Sequence, residues 1–294
     1  MSKRFHSLQG AVQELFGNDR TITEKHRAHG GDINDAFALT LDDGTPLFMK
    51  ANRIHGLSGF EAEAAGLQAI RETQAISTAQ VLGIGTDPEG YAFLLLDYIE
   101  AGPKVPDYWE TFAEQLAAMH HAQVKKKQFG FFSDNYIGSR VQINTWNHTW
   151  IDFYRSCRLE TQFRAAERFF SASERKAFTW LLDHLDRFLT EPEGPSLLHG
   201  DLWSGNFMTG PDGKAWIIDP AVYYGHPEVD LAMTELFGGF SQTFYDAYQA
   251  NTQMVPGYSE RRDLYHLYQL LNHLNMFGAS YLSSVKRVIK RYAG

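Results

Sequence analysis

Leu197-Leu198-His199-Gly200-Asp201-Leu202-Trp203-Ser204-Gly205-Asn206 is followed, across a hairpin-like stretch, by Ile217-Ile218-Asp219-Pro220. Two short apolar runs each end on an acidic residue, and an asparagine follows the first acid beyond a glycine. Taken singly, His-Gly-Asp and Asp-Pro are ordinary turn formers. In this order and spacing they supply something more specific. Asp201 is a carboxylate able to accept a proton, while Asn206 and Asp219 carry hard oxygens of the kind Mg²⁺ prefers. Phosphoryl transfer needs that set: an acceptor hydroxyl oriented and relieved of its proton, and metal ions that neutralise charge on phosphate oxygens. Gly205 permits the tight loop that returns Asn206 toward the cleft.

Working upstream, the same chemistry needs a cation on the nucleotide phosphates and a partner that fixes it. Lys50 ends the run Pro46-Leu47-Phe48-Met49-Lys50, and Glu63 lies in the helix-forming stretch that follows, with Glu61 as its competitor. Earlier still, His29-Gly30-Gly31-Asp32 reads as a glycine turn whose backbone N–H groups at Gly30 and Gly31 could approach phosphate oxygens. It is neither G-x-G-x-x-G nor a Walker A sequence, and Asp32 is an awkward charge beside a triphosphate. Leu96-Asp97-Tyr98-Ile99 reads as a connecting hinge, where backbone groups at Asp97 and Ile99 could meet an adenine edge.

The pattern around these residues gives an α+β chain. Residues 8–16 read as a short amphipathic helix. Residues 21–50 read as strands, with a hairpin at Asp42-Asp43-Gly44 between 37–41 and 46–50. The stretch 59–73 puts Phe60, Ala64, Leu67 and Ile70 on one helical face. Strands follow near 79–86 and 91–98, joined at Asp87-Pro88-Glu89-Gly90. Helices are then expected over 107–122, 145–169, 172–190, 228–250 and 260–290. This predicts a two-lobed arrangement: residues 1–100 as a small β-rich nucleotide-binding lobe, and 101–294 as a larger helical lobe carrying the catalytic loop and the substrate site.

Composition agrees with a folded enzyme. The 294 residues are 44% hydrophobic and 14% aromatic, enough to fill a substantial core. A net charge of −8 spread along the chain argues against nucleic acid or an anionic membrane as partner. Lys125-Lys126-Lys127 is the only basic run and is read as a solvated surface. The single Cys157 excludes an intramolecular disulfide and fits a reducing, cytoplasmic setting. The first residues, MSKRFHSLQGAVQELFG, lack the apolar core of a secretory signal, and no stretch approaches the ~20 apolar residues needed to cross a bilayer.

Beyond these patterns, His199 to Asn206 and Asp219-Pro220-Ala221-Val222-Tyr223-Tyr224-Gly225-His226-Pro227-Glu228-Val229-Asp230-Leu231-Ala232 resemble the fructosamine kinase, or ketosamine-3-kinase, family. That family is related to aminoglycoside phosphotransferases and choline kinases and shares the protein-kinase-like fold. The resemblance extends through Phe129-Gly130-Phe131, Asn135, Ile137-Gly138, Gln142, Asn144-Thr145-Trp146, Trp150, Phe153-Tyr154 and Arg158-Leu159, a segment distinctive of this family rather than of its relatives. It implies ATP- and Mg²⁺-dependent phosphorylation of the sugar O3 of a ketoamine, free or on a glycated protein. Carried across, Asp201 is the base, Asn206 and Asp219 are metal ligands, Lys50 binds phosphate and Glu63 is its partner. His199 and Trp203 border the substrate, and Asp230 braces the catalytic loop. An aminoglycoside- or choline-type acceptor is the alternative within the fold, and a nucleotide-binding scaffold without activity is the alternative outside enzymes.

Overall fold

The computed structural model describes residues 3–28, 33–124 and 126–294. The chain divides into two compact units. One comprises Met1–Tyr108 with Phe207–Pro220, and the other Trp109–Asn206 with Ala221–Gly294.

The first unit is built on a six-stranded sheet. In chain order its strands are β1 (Arg4–Phe5), β2 (Ile22–Arg27), β3 (Asp35–Leu41), β4 (Pro46–Arg53), β5 (Val81–Thr86) and β6 (Tyr91–Asp97), arranged β1-β5-β6-β4-β3-β2. All neighbours are antiparallel except β1 and β5. Helices α1 (Leu8–Phe16) and α2 (Leu57–Thr73) complete the layer. Side chains alternate across a strand. Leu47 and Met49 of β4 therefore join Leu39, Phe93, Leu95 and the α1 residues Ala11 and Val12 in one core cluster. Phe48 of the same strand packs in the other cluster, where Leu94 and Leu96 of β6 meet Phe60, Ala64 and Leu67 of α2. Each such buried large side chain contributes about 1.5–3 kcal/mol.

The boundary expected near residue 100 falls at Tyr108, and the segment Phe207–Pro220 belongs with this first unit. Backbone pairing explains both. Gly102 N–H donates to Thr209 O (3.4 Å) and Val105 N–H to Gly213 O (3.1 Å), tying 101–108 to the Phe207–Thr209/Ala215–Ile217 hairpin.

The second unit is mainly helical. A two-stranded ladder pairs Ser196–Leu198 with Tyr223–Gly225, and a second pairs Asn135–Ile137 with Arg140–Gln142. Around them run the helices Tyr108–His120, Trp150–Phe153 continuing through Ala166, Ala172–Asp183, Glu228–Leu236, Gln242–Asn251, Tyr258–Phe277 and Leu282–Ala293. Trp150, Phe153, Tyr154, Tyr223, Tyr265 and Tyr268 are fully buried among them.

Four expected helices are divided or shortened, among them 172–190, which ends at Asp183 and is followed by a 3₁₀ turn at Leu185–Arg187. The 228–250 pattern breaks after Leu236, where Gly238 and Gly239 take φ of +71° and +98°. The 260–290 pattern breaks at Gly278, φ +85°. The 145–169 helix starts only at Trp150, capped by Thr149 Oγ1 on the Asp152 N–H (3.2 Å). Within that run Tyr154–Leu159 widens to a π-helical turn, which carries Arg158 into the interior.

Candidate active site

In the first unit, register places the cation. Lys50 pairs across the sheet with Leu94 and Ala36, on the face that Phe48 and α2 share. Glu63 lies beside the inward stripe Phe60–Ala64–Leu67 of α2, and its Oε1 accepts from Lys50 Nζ at 2.7 Å. Glu61, the sequence competitor, pairs with Arg4 instead. Lys50 Nζ also donates to Asp219 Oδ1. Burial works against a charge on Lys50, yet the carboxylates of Glu63 and Asp219 hold its pKa above the ordinary value. Glu63 is raised, first by burial and then by the nearby charge of Asp219, with Lys50 opposing.

Asp219 is delivered by the hairpin strand Ala215–Ile217. That strand is fixed by Ile217 N–H to Ser77 O (3.0 Å) and by Thr78 Oγ1 to Ile217 O (2.5 Å). Asp219 takes φ +54°, one of two non-glycine residues with positive φ among those described. A left-handed conformation costs a non-glycine residue on the order of 1–3 kcal/mol, which the surrounding bonds must offset.

In the second unit, strand Ser196–Leu198 runs into the turn His199-Gly200-Asp201. Buried Asp230 accepts both leading amides, His199 N–H on Oδ2 (2.7 Å) and Gly200 N–H on Oδ1 (2.8 Å). His120 Nε2 lies 3.1 Å from Asp230 Oδ2, and His120 Nδ1 lies 2.7 Å from the Tyr248 hydroxyl. Gly200 has φ +82°, and a Cβ there would come within 2.1 Å of Ala221 O, so no other residue fits. Asp201 is half-buried. Its Oδ2 accepts from Asn206 Nδ2 at 3.1 Å, and the same nitrogen reaches Asp201 O at 2.8 Å. That leaves the Asn206 side-chain oxygen as the atom suited to a hard cation. Trp203 is 38% exposed, with its ring packed on Gly205, where a Cβ would lie 2.3 Å from it.

These donors fit Mg²⁺ chemically. That ion takes one or two protein oxygens and fills its shell with water and phosphate.

A sequence model of one family, described as fructosamine kinase, matches residues 5–293. The chain belongs to the fructosamine kinase family. It is 37% identical over 288 residues to a Synechocystis protein named a probable ketoamine kinase, covering 98% of this chain and 96% of that one. It is 40% identical over 278 residues to a chloroplastic protein-ribulosamine 3-kinase of Arabidopsis thaliana, covering 94% and 84%. A crystal structure of a fructosamine-3-kinase candidate from Haemophilus somnus 129PT superposes with a TM-score of 0.87 at 29% identity, covering 98% of this chain and 97% of that one. The aminoglycoside phosphotransferase APH(4)-Ia, solved with AMP-PNP and hygromycin B, gives 0.66 at 18% identity, covering 98% and 99%. That likeness establishes the protein-kinase-like fold.

Not every residue singled out in the sequence serves a fructosamine kinase site directly. His199, expected to border the substrate, is fully buried; its Nδ1 accepts from the Asp201 N–H (3.2 Å), so it shapes the turn rather than meeting a sugar. Asp97 has its N–H committed to Gln80 O (3.1 Å) and its carboxylate to the Gln80 N–H (2.6 Å), which removes that amide from an adenine contact. Ile99 packs against the α2 cluster. Gly30, Gly31 and Asp32 lie outside the described residues. Of the basic run, Lys126 sits 4.0 Å over the Trp146 ring. Sequence reasoning did not single out His120, Tyr248, Gln269 or Thr78. Their partners lie tens of residues away, and only a helix-end histidine such as His120 carried any local signal.

Proposed function

We propose that this protein is an ATP-dependent ketosamine 3-kinase acting on ketoamines, free or attached to protein, with Mg²⁺ as the metal. The observation that carries the reading is the Asp201–Asn206 pair on a turn locked by Asp230, in a chain of this family. As the sugar hydroxyl attacks, its proton passes to Asp201 Oδ, and Asn206 holds that carboxylate in place. A bond forms between the sugar oxygen and the γ-phosphorus, the γ-phosphorus bond to the β–γ bridging oxygen breaks, and ADP leaves. Lys50, held by Glu63, neutralises charge on the nucleotide phosphates. Asn206 of the second unit and Asp219 of the first each carry an oxygen of the kind Mg²⁺ takes, and bound Mg²⁺ would offset charge on the transferring group. Trp203, exposed beside the base, forms a wall of the sugar site. No helix among the described residues is long and apolar enough to cross a membrane. The free, buried thiol of Cys157 suits a protein working in a reducing cytoplasm.

The test is a panel of fructosyl-lysine, ribulosyl-lysine and erythrulosyl-lysine with ATP and Mg²⁺, the product position being fixed by phosphorus NMR. Phosphate at O3 supports the assignment. Turnover of an aminoglycoside or choline with none of any ketoamine would move the acceptor to a related family.

A further inference from the structure

The stretch between the helix Tyr108–His120 and the helical run starting at Trp150, together with that run, carries a line of buried polar side chains that the reaction above does not use. Asn135, Gln142, Asn144 and Arg158 are 4%, 1%, 1% and 0% exposed. A buried amide or guanidinium is costly unless its hydrogen bonds are made, and here they run in one direction. Arg158 Nη2 donates to Asn144 Oδ1 (2.8 Å), Asn144 Nδ2 to Asn135 Oδ1 (2.9 Å), and Asn135 Nδ2 to the Val222 carbonyl (2.7 Å). Gln142 Nε2 donates to Asn135 Oδ1 (2.8 Å) and to the Ala221 carbonyl (3.0 Å), and Gln142 Oε1 accepts from the Tyr268 hydroxyl (2.8 Å). Each donor polarises the next, so the chain is stiffer than its bonds taken singly.

Arg158 anchors it without a carboxylate partner among the described residues. Its guanidinium lies 3.9 Å over the Tyr223 ring and 4.5 Å over Phe153, with Nη1 donating to Ile143 O (2.6 Å) and Cys157 O (3.0 Å). Apolar residues of the same volume would stabilise such a core at least as well. The polar choice therefore calls for a role in placement.

What the chain ends on supplies that role. Ala221 donates its N–H to His199 O (2.9 Å), and its carbonyl fills the space where Gly200 lacks a Cβ. The next helical residue after Tyr268, Gln269, donates to Gly200 O (3.3 Å). Burial raises the Tyr268 phenol well above its ordinary value; Arg158 opposes the rise and the charge of Asp201 adds to it, which puts the base within electrostatic reach of the frame.

We propose that Arg158, Asn144, Asn135 and Gln142 form a positioning frame for Asp201: they fix Ala221 and Val222 by their carbonyls, and Ala221 fixes the His199–Gly200 turn on which Asp201 stands. The proposal rests on the reading of Asp201 as the base. Asp230 supports the turn through its amides, while the frame supports it through Ala221.

The experiment uses the full-length chain with Gln142→Leu and Gln142→Glu. Q142L is expected to lower kcat by about tenfold or more, with the ATP dissociation constant and the ketoamine KM within about twofold of the parent. Q142E keeps the size of the side chain and its acceptor for Tyr268, but presents no donor to Ala221 O while ionised and regains one when protonated. The titratable group that touches it is Tyr268, on which Arg158, Tyr223 and Asp201 act in turn. Its kcat relative to the parent should therefore rise as pH falls from about 8 to about 6, a response that loss of packing alone does not produce. Amide hydrogen exchange at residues 199–201 reads the turn whatever the acceptor, and should quicken by about tenfold in both variants. A folded Q142L with parental kcat and exchange, or a Q142E ratio that is flat with pH, overturns the frame. A parent chain that phosphorylates no ketoamine overturns the proposed reaction instead, and the exchange measurement then decides the frame alone. Should Q142L fail to fold, Q142E carries the test.

Discussion

Replacing Asp230 with Asn changes one atom and should disable the turn that carries Asp201, the proposed base. The carboxylate is fully buried and serves three groups: the His199 and Gly200 amides at 2.7 and 2.8 Å, and His120 Nε2 at 3.1 Å. Asn keeps one accepting oxygen and turns the other position into a donor facing a donor. At least one backbone N–H is then orphaned in the interior and one charge-assisted bond is lost. A hydrogen bond to a charged group is worth about 1.5–3 kcal/mol and an unpaired buried N–H costs about 1–3 kcal/mol. Because the two overlap, D230N should lose about 3–5 kcal/mol, a large part of the roughly 5–15 kcal/mol typical of a folded domain. The assay is urea unfolding followed by tryptophan fluorescence, paired with steady-state kinetics at a temperature where the variant is folded. There kcat should fall by at least about tenfold, since Asp201 follows directly after the two displaced amides. A loss below about 1 kcal/mol with kcat within about twofold would refute the idea that Asp230 holds the turn.

The remaining predictions concern the candidate residues of each unit and the interior. Asp201→Asn should lower kcat by about a thousandfold or more while leaving nucleotide affinity near normal, measured by turnover and by fluorescent-nucleotide binding. Glu63→Gln should weaken ATP binding by about tenfold, whereas Glu61→Gln, whose acid serves Arg4 at the surface, should change it by less than about twofold; equal effects would reverse the assignment. Asp219→Ala should weaken Mg²⁺·ATP binding and raise the Mg²⁺ concentration needed for half-maximal rate, and unaltered metal dependence would remove it from that role. His226 is held down to about 3 by burial, then by the positive charge of Arg261 and by the neighbouring His120, against an ordinary value of 6.5. The unfolded chain therefore takes up a proton as pH falls through about 6.5 while the folded chain does not, so stability is fully present above that point and is lost below it. The loss is about 1.4 kcal/mol per pH unit, or about 2 kcal/mol by pH 5. H226N should flatten that part of the urea midpoint–pH curve.

Local chemistry made much of this molecule legible. Alternation along β4 and the stripe on α2 were enough to bring Lys50 and Glu63 to one face, because both periodicities are short-range properties of the backbone. The order His199–Asn206–Asp219 likewise drew attention to the turn that Asp230 holds. Interruptions of long helical patterns were less legible, since apolar periodicity continued across Gly238-Gly239 and Gly278 while the backbone did not. His199 was misplaced because its identity suggests chemistry, whereas its burial depends on Ala221 and Asp230 further along the chain. The supports of the turn, His120 and Gln269, make single contacts across long sequence separations that no periodicity encodes.

The return of Phe207–Pro220 to the first unit has a consequence for biosynthesis. The strands and helices of residues 1–108 leave the ribosome early, but their unit lacks a hairpin until residue 220 has been made. Thr78, whose hydroxyl bonds Ile217 O, waits until then for its partner. A fragment ending at Tyr108 should therefore be short of an integral piece and prone to aggregate, whereas adding the hairpin through a short linker should restore solubility.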